Sequence, residues 1–235
     1  MNEGAAVTSD LTITVERGEV LRLLGYRRAE QSEQRNGRRR SEACLDSLWN
    51  DALALVQARG AWRVVDAAAA GAAGMPEPAA ESAPEPGFEP GPRPAPLVGI
   101  GVCTIGPRLE TESAARAAAG SLLEALVLDA IGSAAAEAAA DEVNLALCAD
   151  AHSRGLFAAA RVSPGYGSWE MAAQERLLAL LPYEVLGIAL TSGQMMMPRK
   201  SVSFAARFTT EPAPGSARPC ARCGLIRCRH RKEDP

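Results

Sequence analysis

"LLEALVLDAIGSAAAEAAADEVNLALCADAHSRG", residues 122–155, is the longest periodic segment of the 235-residue chain. Leu123, Val127, Ala130, Ile131, Ala134 and Ala138 recur at helical spacing, and Val143 and Leu147 continue the stripe after a small drift. Alanine favours a helix here, and the small patch Gly132–Ala135 lets another backbone approach closely. Asp129, inside the run, is either a paired core acid or a site residue.

The segments on either side read differently. Before the helix, "LVGIGVCTIG" (97–106) predicts a buried strand and a turn. Its glycines suggest a phosphate loop, but Gly106 is followed by Pro107 where Lys-Ser/Thr is needed, and the spacing also fails the dinucleotide fingerprint. Both readings are rejected. After the helix, "LFAAARV" (156–162), "EVLGIALT" (184–191) and "KSVSFAARF" (200–208) predict strands. Between the first two, Ser168 is placed to cap a helix that Pro182 ends, with Glu170 in its positive first turn. Strands and helices without a regular βαβ rhythm predict an α+β fold, with a twisted, partly antiparallel sheet and flanking helices.

Residues 1–66 read as a segment packing on this main unit. Leu11, Ile13 and Val15 alternate as in a strand, and a short helix through Val20, Leu21 and Leu24 ends near Gly25. A second amphipathic helix carries Cys44, Leu45, Leu48, Trp49, Ala52, Leu55 and Val56 and stops at Gly60. Residues 67–96, "AAAAGAAGMPEPAAESAPEPGFEPGPRPAP", then hold half of the sixteen prolines and read as a linker or insertion. Residues 97–210 form the core unit, and 211–235 a cysteine-rich tail.

The formal charge of −3 gives no electrostatic case for a nucleic-acid binder. The eight arginines between residues 17 and 40 read as a solvated basic loop or a docking surface. No apolar stretch of about twenty residues spans a membrane, and the first twenty residues lack a secretory pattern, so a cytoplasmic location is expected. In a reducing compartment, clustered cysteines bind metal or do redox work more often than they form disulfides. Cys220-x-x-Cys223 with Cys228, and His230 beyond, has metal-site spacing. It fits zinc, an iron–sulfur cluster with an external ligand, or a redox-labile pair without metal. Cys44, Cys103 and Cys148 read as buried apolar residues.

"ARVSPGYGSWE" (160–170) is the candidate ligand site. In a chain with 4% aromatic residues it brings Arg161, Pro164, Gly165, Tyr166, Gly167 and Trp169 together. A strand ending in Pro-Gly and feeding a helix exposes backbone amides, and the glycines permit close approach. Arg161 can take a carboxylate with two parallel hydrogen bonds, and Tyr166 and Trp169 can present π faces to a cation. S-adenosylmethionine carries both charges. Equally, the aromatics can cover the core while Arg161 pairs with a local acid. No catalytic constellation competes with this turn: Ser163 lies in no nucleophile elbow, and His152 and His230 are too few for a triad or a histidine-rich metal site.

"RVSPGYGSWEMAAQERLLALL", "LGIALTSGQMMMPRKSVSF" and "CARCGLIRC", following the long helix in that order, resemble stand-alone relatives of the activation domain of cobalamin-dependent methionine synthase. The resemblance covers roughly residues 97–230. It implies an activation-domain-like core that binds S-adenosylmethionine through Arg161, Pro164, Gly165 and Tyr166. It further implies reductive reactivation, in trans, of a cobalamin-dependent methionine synthase or related corrinoid protein. The partner would supply the cobalamin and a flavodoxin-like donor the electron. The family usually has Thr-Glu-Ser where this chain has Thr191-Ser192-Gly193. A non-enzymatic adaptor with the same fold and a metal-binding tail is the alternative.

Overall fold

The computed structural model describes residues 6–8, 10–26, 32–76 and 93–211. Strand β1 (Ala6–Thr8) leads through extended chain to α1 (Arg17–Leu23) and the long α2 (Ser32–Leu55). Next come β2 (Arg59–Asp66), α3 (Ala67–Ala72), β3 (Pro94–Thr104), α4 (Arg108–Ala118) and α5 (Leu122–Ser153). The short β4 (Phe157–Ala158) precedes α6 (Gln174–Leu178), β5 (Ala189–Leu190), β6 (Met196–Met197) and β7 (Ser201–Thr209).

Five strands form one sheet in the order β1-β2-β3-β7-β4, and every described pairing in it is antiparallel. The expected partly antiparallel sheet is thus antiparallel throughout its described pairings. β5 and β6 form a separate two-stranded hairpin. α5 lies across one face of the sheet with α1, α2 and α4 packed outside it. This position explains its composition: alanines are buried around much of its circumference, including Ala130, Ala134, Ala135, Ala136, Ala139 and Ala140. The other sheet face is covered by Trp169, Leu177, Leu178, Leu186 and Ile188, which belong to the segments after β4.

The glycines of "LVGIGVCTIG" serve this packing. A Cβ at Gly99 would stand 2.7 Å from Leu147 Cδ2, and one at Gly101 would stand 2.8 Å from Val143 Cγ1. Gly60, expected to stop a helix, instead lies in β2 opposite Cys103, and a Cβ there would stand 2.5 Å from Val143 Cγ2. These three positions let α5 press onto the sheet backbone, where interiors are too densely packed to absorb another methyl. α2 stops earlier, at Leu55.

Other expectations also shift. Leu11, Ile13 and Val15 pack into the core from extended chain that joins no ladder, although Leu11 N–H donates to Ala58 O at 2.9 Å. Ser168 caps no helix: a 3-10 turn, Met171–Ala173, precedes α6, and a second, Tyr183–Leu186, follows Pro182. The stretch read as linker begins with α3, whose N-terminus is capped by Asp66 Oδ1 accepting from Ala69 N–H at 2.7 Å. Ala70, Ala73 and Met75 are buried there, and the stretch ends inside β3 with Ala95 buried. Its centre, residues 77–92, lies outside the described residues.

Candidate functional site

The edge of β7 builds the site. After β4 the chain runs on beside β7: Ala159 N–H donates to Arg207 O, and Val162 and Ala205 exchange two hydrogen bonds of 2.8 Å. The turn then folds on itself. Tyr166 N–H donates to Ser163 O at 3.2 Å, Trp169 N–H to Tyr166 O at 3.1 Å, and Gly165 N–H to Trp169 O at 2.7 Å. Gly165 requires φ +87°, a left-handed conformation that glycine adopts without penalty, and a Cβ there would also stand 2.7 Å from Met171 Cε. Pro164 is buried beneath the turn, whereas Tyr166 is 73% exposed. Trp169 is 2% exposed and belongs to the core, so of the two aromatics expected to face a ligand only Tyr166 is open to solvent.

Arg161 lies at the start of this turn, with α5 opposite. Asp129, Ser133, Glu137 and Asp141 follow one another at four-residue intervals, which places them on one face of the helix. Two cations reach this stripe. Lys200 Nζ lies 2.7 Å from Asp129 Oδ1 and donates to Ser133 Oγ at 2.8 Å. Arg161 Nη2 donates to Glu137 Oε2 at 2.7 Å. Its Nη1 lies 3.0 Å from Asp141 Oδ1 in an ion pair rather than an aligned hydrogen bond. The guanidinium carbon stands 5.5 Å from the centroid of the buried Phe204 ring. Asp129 is therefore a paired acid, and Gly132 packs internally, with Lys200 Cε and Leu109 Cδ2 at 3.3 and 3.4 Å from where its Cβ would be.

The methionine loop is anchored beside these contacts. Arg199 N–H and Nε both donate to Glu110 on α4, at 2.9 and 2.7 Å, and Ser201 Oγ donates to Pro198 O at 2.7 Å. The Met197–Pro198 peptide is cis. Met195 and Met197 are exposed, while Met196 packs against the core. Two shallow concavities of about 570 and 330 Å³ lie elsewhere, between α2, α4 and the start of α5, and neither includes a residue of the Arg161 turn.

No family model matches the chain, and no curated protein does. Among solved structures the chain is similar to a crystal structure of the MetH reactivation domain bound to AdoHcy. The identity is 14%, the match covers 88% of this chain and 82% of that one, and the TM-score is 0.51. The chain shares its fold with that reactivation domain. The fold implied by the sequence resemblance is therefore present: α+β, an antiparallel sheet and flanking helices.

Arg161, Pro164, Gly165 and Tyr166 come together as one turn on the sheet edge. Sequence reasoning missed Glu137 and Asp141, although their four-residue spacing on a predicted helix was a usable signal. Cys220, Cys223, Cys228 and His230 lie outside the described residues, and among the described residues no group of three metal-ligating side chains occurs. Cys103 is fully buried, and burial pushes its thiol up to about 12. Cys44 and Cys148 are only half-buried, with burial raising both thiols. No described helix is long and apolar enough to cross a membrane.

Proposed function

We propose that this chain binds S-adenosylmethionine at the Arg161–Tyr166 turn and serves, in trans, the reductive reactivation of a cobalamin-dependent methionine synthase or related corrinoid protein. The observation that carries the reading is this glycine-rich turn, with its arginine beside two acids, in a fold shared with a reactivation domain that was solved bound to AdoHcy. Arg161 supplies a fork for the ligand carboxylate, Glu137 and Asp141 stand where they can accept from its ammonium, and Tyr166 offers an exposed ring to the adenosine. The partner's corrinoid, reduced by a flavodoxin-like donor, supplies the nucleophile, and methyl transfer leaves S-adenosylhomocysteine. No side-chain base is required, because the reduced cobalt of the partner is itself the nucleophile and carries no proton to remove. This chain's share of the work is binding, orientation and a docking surface, to which the exposed Met195 and Met197 contribute.

Two observations favour the adaptor reading: Arg161 is already engaged by two carboxylates, and the methionine loop has Ser192 where the family it resembles carries an acid. Kinetics separate the two. An inactive cobalt(II) corrinoid methyltransferase is mixed with reductant, S-adenosylmethionine and this protein, and visible absorbance follows the return of methylcobalamin. A faster return than without the protein supports reactivation. An unchanged rate with the natural partner, despite ligand binding, supports the adaptor.

A further inference from the structure

Around Arg161 the fixed charges do not cancel. One guanidinium faces two carboxylates, at 2.7 and 3.0 Å, whereas Lys200 and Asp129 further along α5 balance one another. The Glu137 and Asp141 side chains are 45% and 62% exposed, so both keep surface open to a ligand beyond their contact with Arg161.

We infer that Glu137 and Asp141 make the site discriminate by ligand charge, holding a sulfonium more tightly than the thioether left when its methyl group departs. The inference rests on the S-adenosylmethionine reading above. S-adenosylmethionine and S-adenosylhomocysteine share their adenosine, carboxylate and ammonium, and differ by one methyl group and one positive charge. Contacts that Arg161 makes with the carboxylate are common to both ligands and cancel in the ratio of their dissociation constants. The surplus negative charge on α5 does not cancel. Its attraction for the ammonium is common to both ligands, but its attraction for the sulfonium exists in one alone and is abolished by methyl transfer, so the product is released from a site that held the donor.

The same acids have an opposing effect on absolute affinity. Each occupies an edge of the Arg161 fork, so removing one frees a donor and strengthens the hold on either ligand's carboxylate. Single affinities therefore move in either direction, and the ratio alone isolates the sulfonium contribution. A charge within about 7–8 Å, in a surface dielectric between those of water and protein, changes affinity by about three- to tenfold. Salt weakens the effect, because that separation is close to the screening length of about 8 Å at physiological ionic strength.

The test is calorimetric titration of the full chain with each ligand in turn. It compares wild type, Glu137→Gln, Asp141→Asn, the double variant, and Asp51→Asn, an exposed acid on α2. Wild type is expected to prefer S-adenosylmethionine, with the ratio falling about three- to tenfold in the double variant and unchanged in Asp51→Asn. Raising salt lowers the ratio in wild type, a readout that needs no variant to fold. Both ligands binding with the same ratio in wild type and double variant, or a salt-independent wild-type ratio, overturns the inference while leaving the function intact. Failure of wild type to bind either ligand overturns the function, and the inference with it.

Discussion

Replacing Gly101 by alanine tests the packing that seats α5, and with it the platform of the site. Gly101 pairs with Trp62 on one side and Phe204 on the other. Its φ is not in the left-handed region, so the backbone accepts alanine and the cost is steric. The new Cβ would stand 2.8 Å from Val143 Cγ1 and 2.9 Å from Phe204 Cζ, and both side chains are fully buried. Overpacking of this kind costs about 1–3 kcal/mol, and the lower unfolded-state entropy of alanine offsets about 0.4–1 kcal/mol. The midpoints of these ranges leave a net loss of about 1.3 kcal/mol, a fall in Tm of about 3–5 °C for a chain of this size. Gly18→Ala is the control: it lies in α1 with nothing within 4 Å of the new Cβ, and alanine is favoured there by up to about 1 kcal/mol. Thermal unfolding followed by circular dichroism should move the two variants in opposite directions. A Gly101→Ala protein as stable as wild type would refute the close approach of α5 to β3.

Three further outcomes follow from named contacts. Glu110→Ala removes the acceptor of both Arg199 bonds, which should cost about 1 kcal/mol because Arg199 is half-exposed; faster amide exchange over residues 195–200 checks it. Cys103 is neutral in the fold up to about pH 12, while its unfolded thiol ionises near 9.0. Its contribution is therefore intact below pH 9 and lost as pH rises from there towards 12, at about 1.4 kcal/mol per pH unit. Cys103→Ala should flatten the alkaline limb of a stability–pH curve measured by urea unfolding. On the proposal that Cys220, Cys223 and Cys228 form one site, anaerobically prepared protein carries about one zinc or iron per chain; elemental analysis of a triple Cys→Ser variant should find none.

The long helix, the buried strand at 97–106 and the last strand were legible because each carries its own periodicity or an unbroken apolar run. β2 and α4 were not. "RGAWRVVD" interleaves arginines with its apolar residues, and Arg63 is accommodated by reaching Leu180 O across the sheet, a contact 117 residues away. α4 exposes its four alanines and buries Leu109, so it offers no run of bulky apolar residues to read. The alternation at Leu11–Val15 misled for a tertiary reason: β1 occupies the β2 edge opposite Gly60–Trp62, so the following residues run on without a ladder. The turn at 160–170 announced itself by composition, but sequence could not decide whether Arg161 faces a ligand or an acid. α5 sets Glu137 and Asp141 within reach of Arg161, a tertiary contact that the composition of the turn does not encode.

Calorimetric titration with S-adenosylmethionine, comparing wild type with Arg161→Ala, tests the central claim most directly. Removing a charged hydrogen-bond donor to the ligand carboxylate costs about 1.5–3 kcal/mol, or more than tenfold in affinity. Saturable wild-type binding that weakens by at least about tenfold in Arg161→Ala is the predicted result. Wild-type binding that survives the substitution unchanged would contradict the assignment of the site.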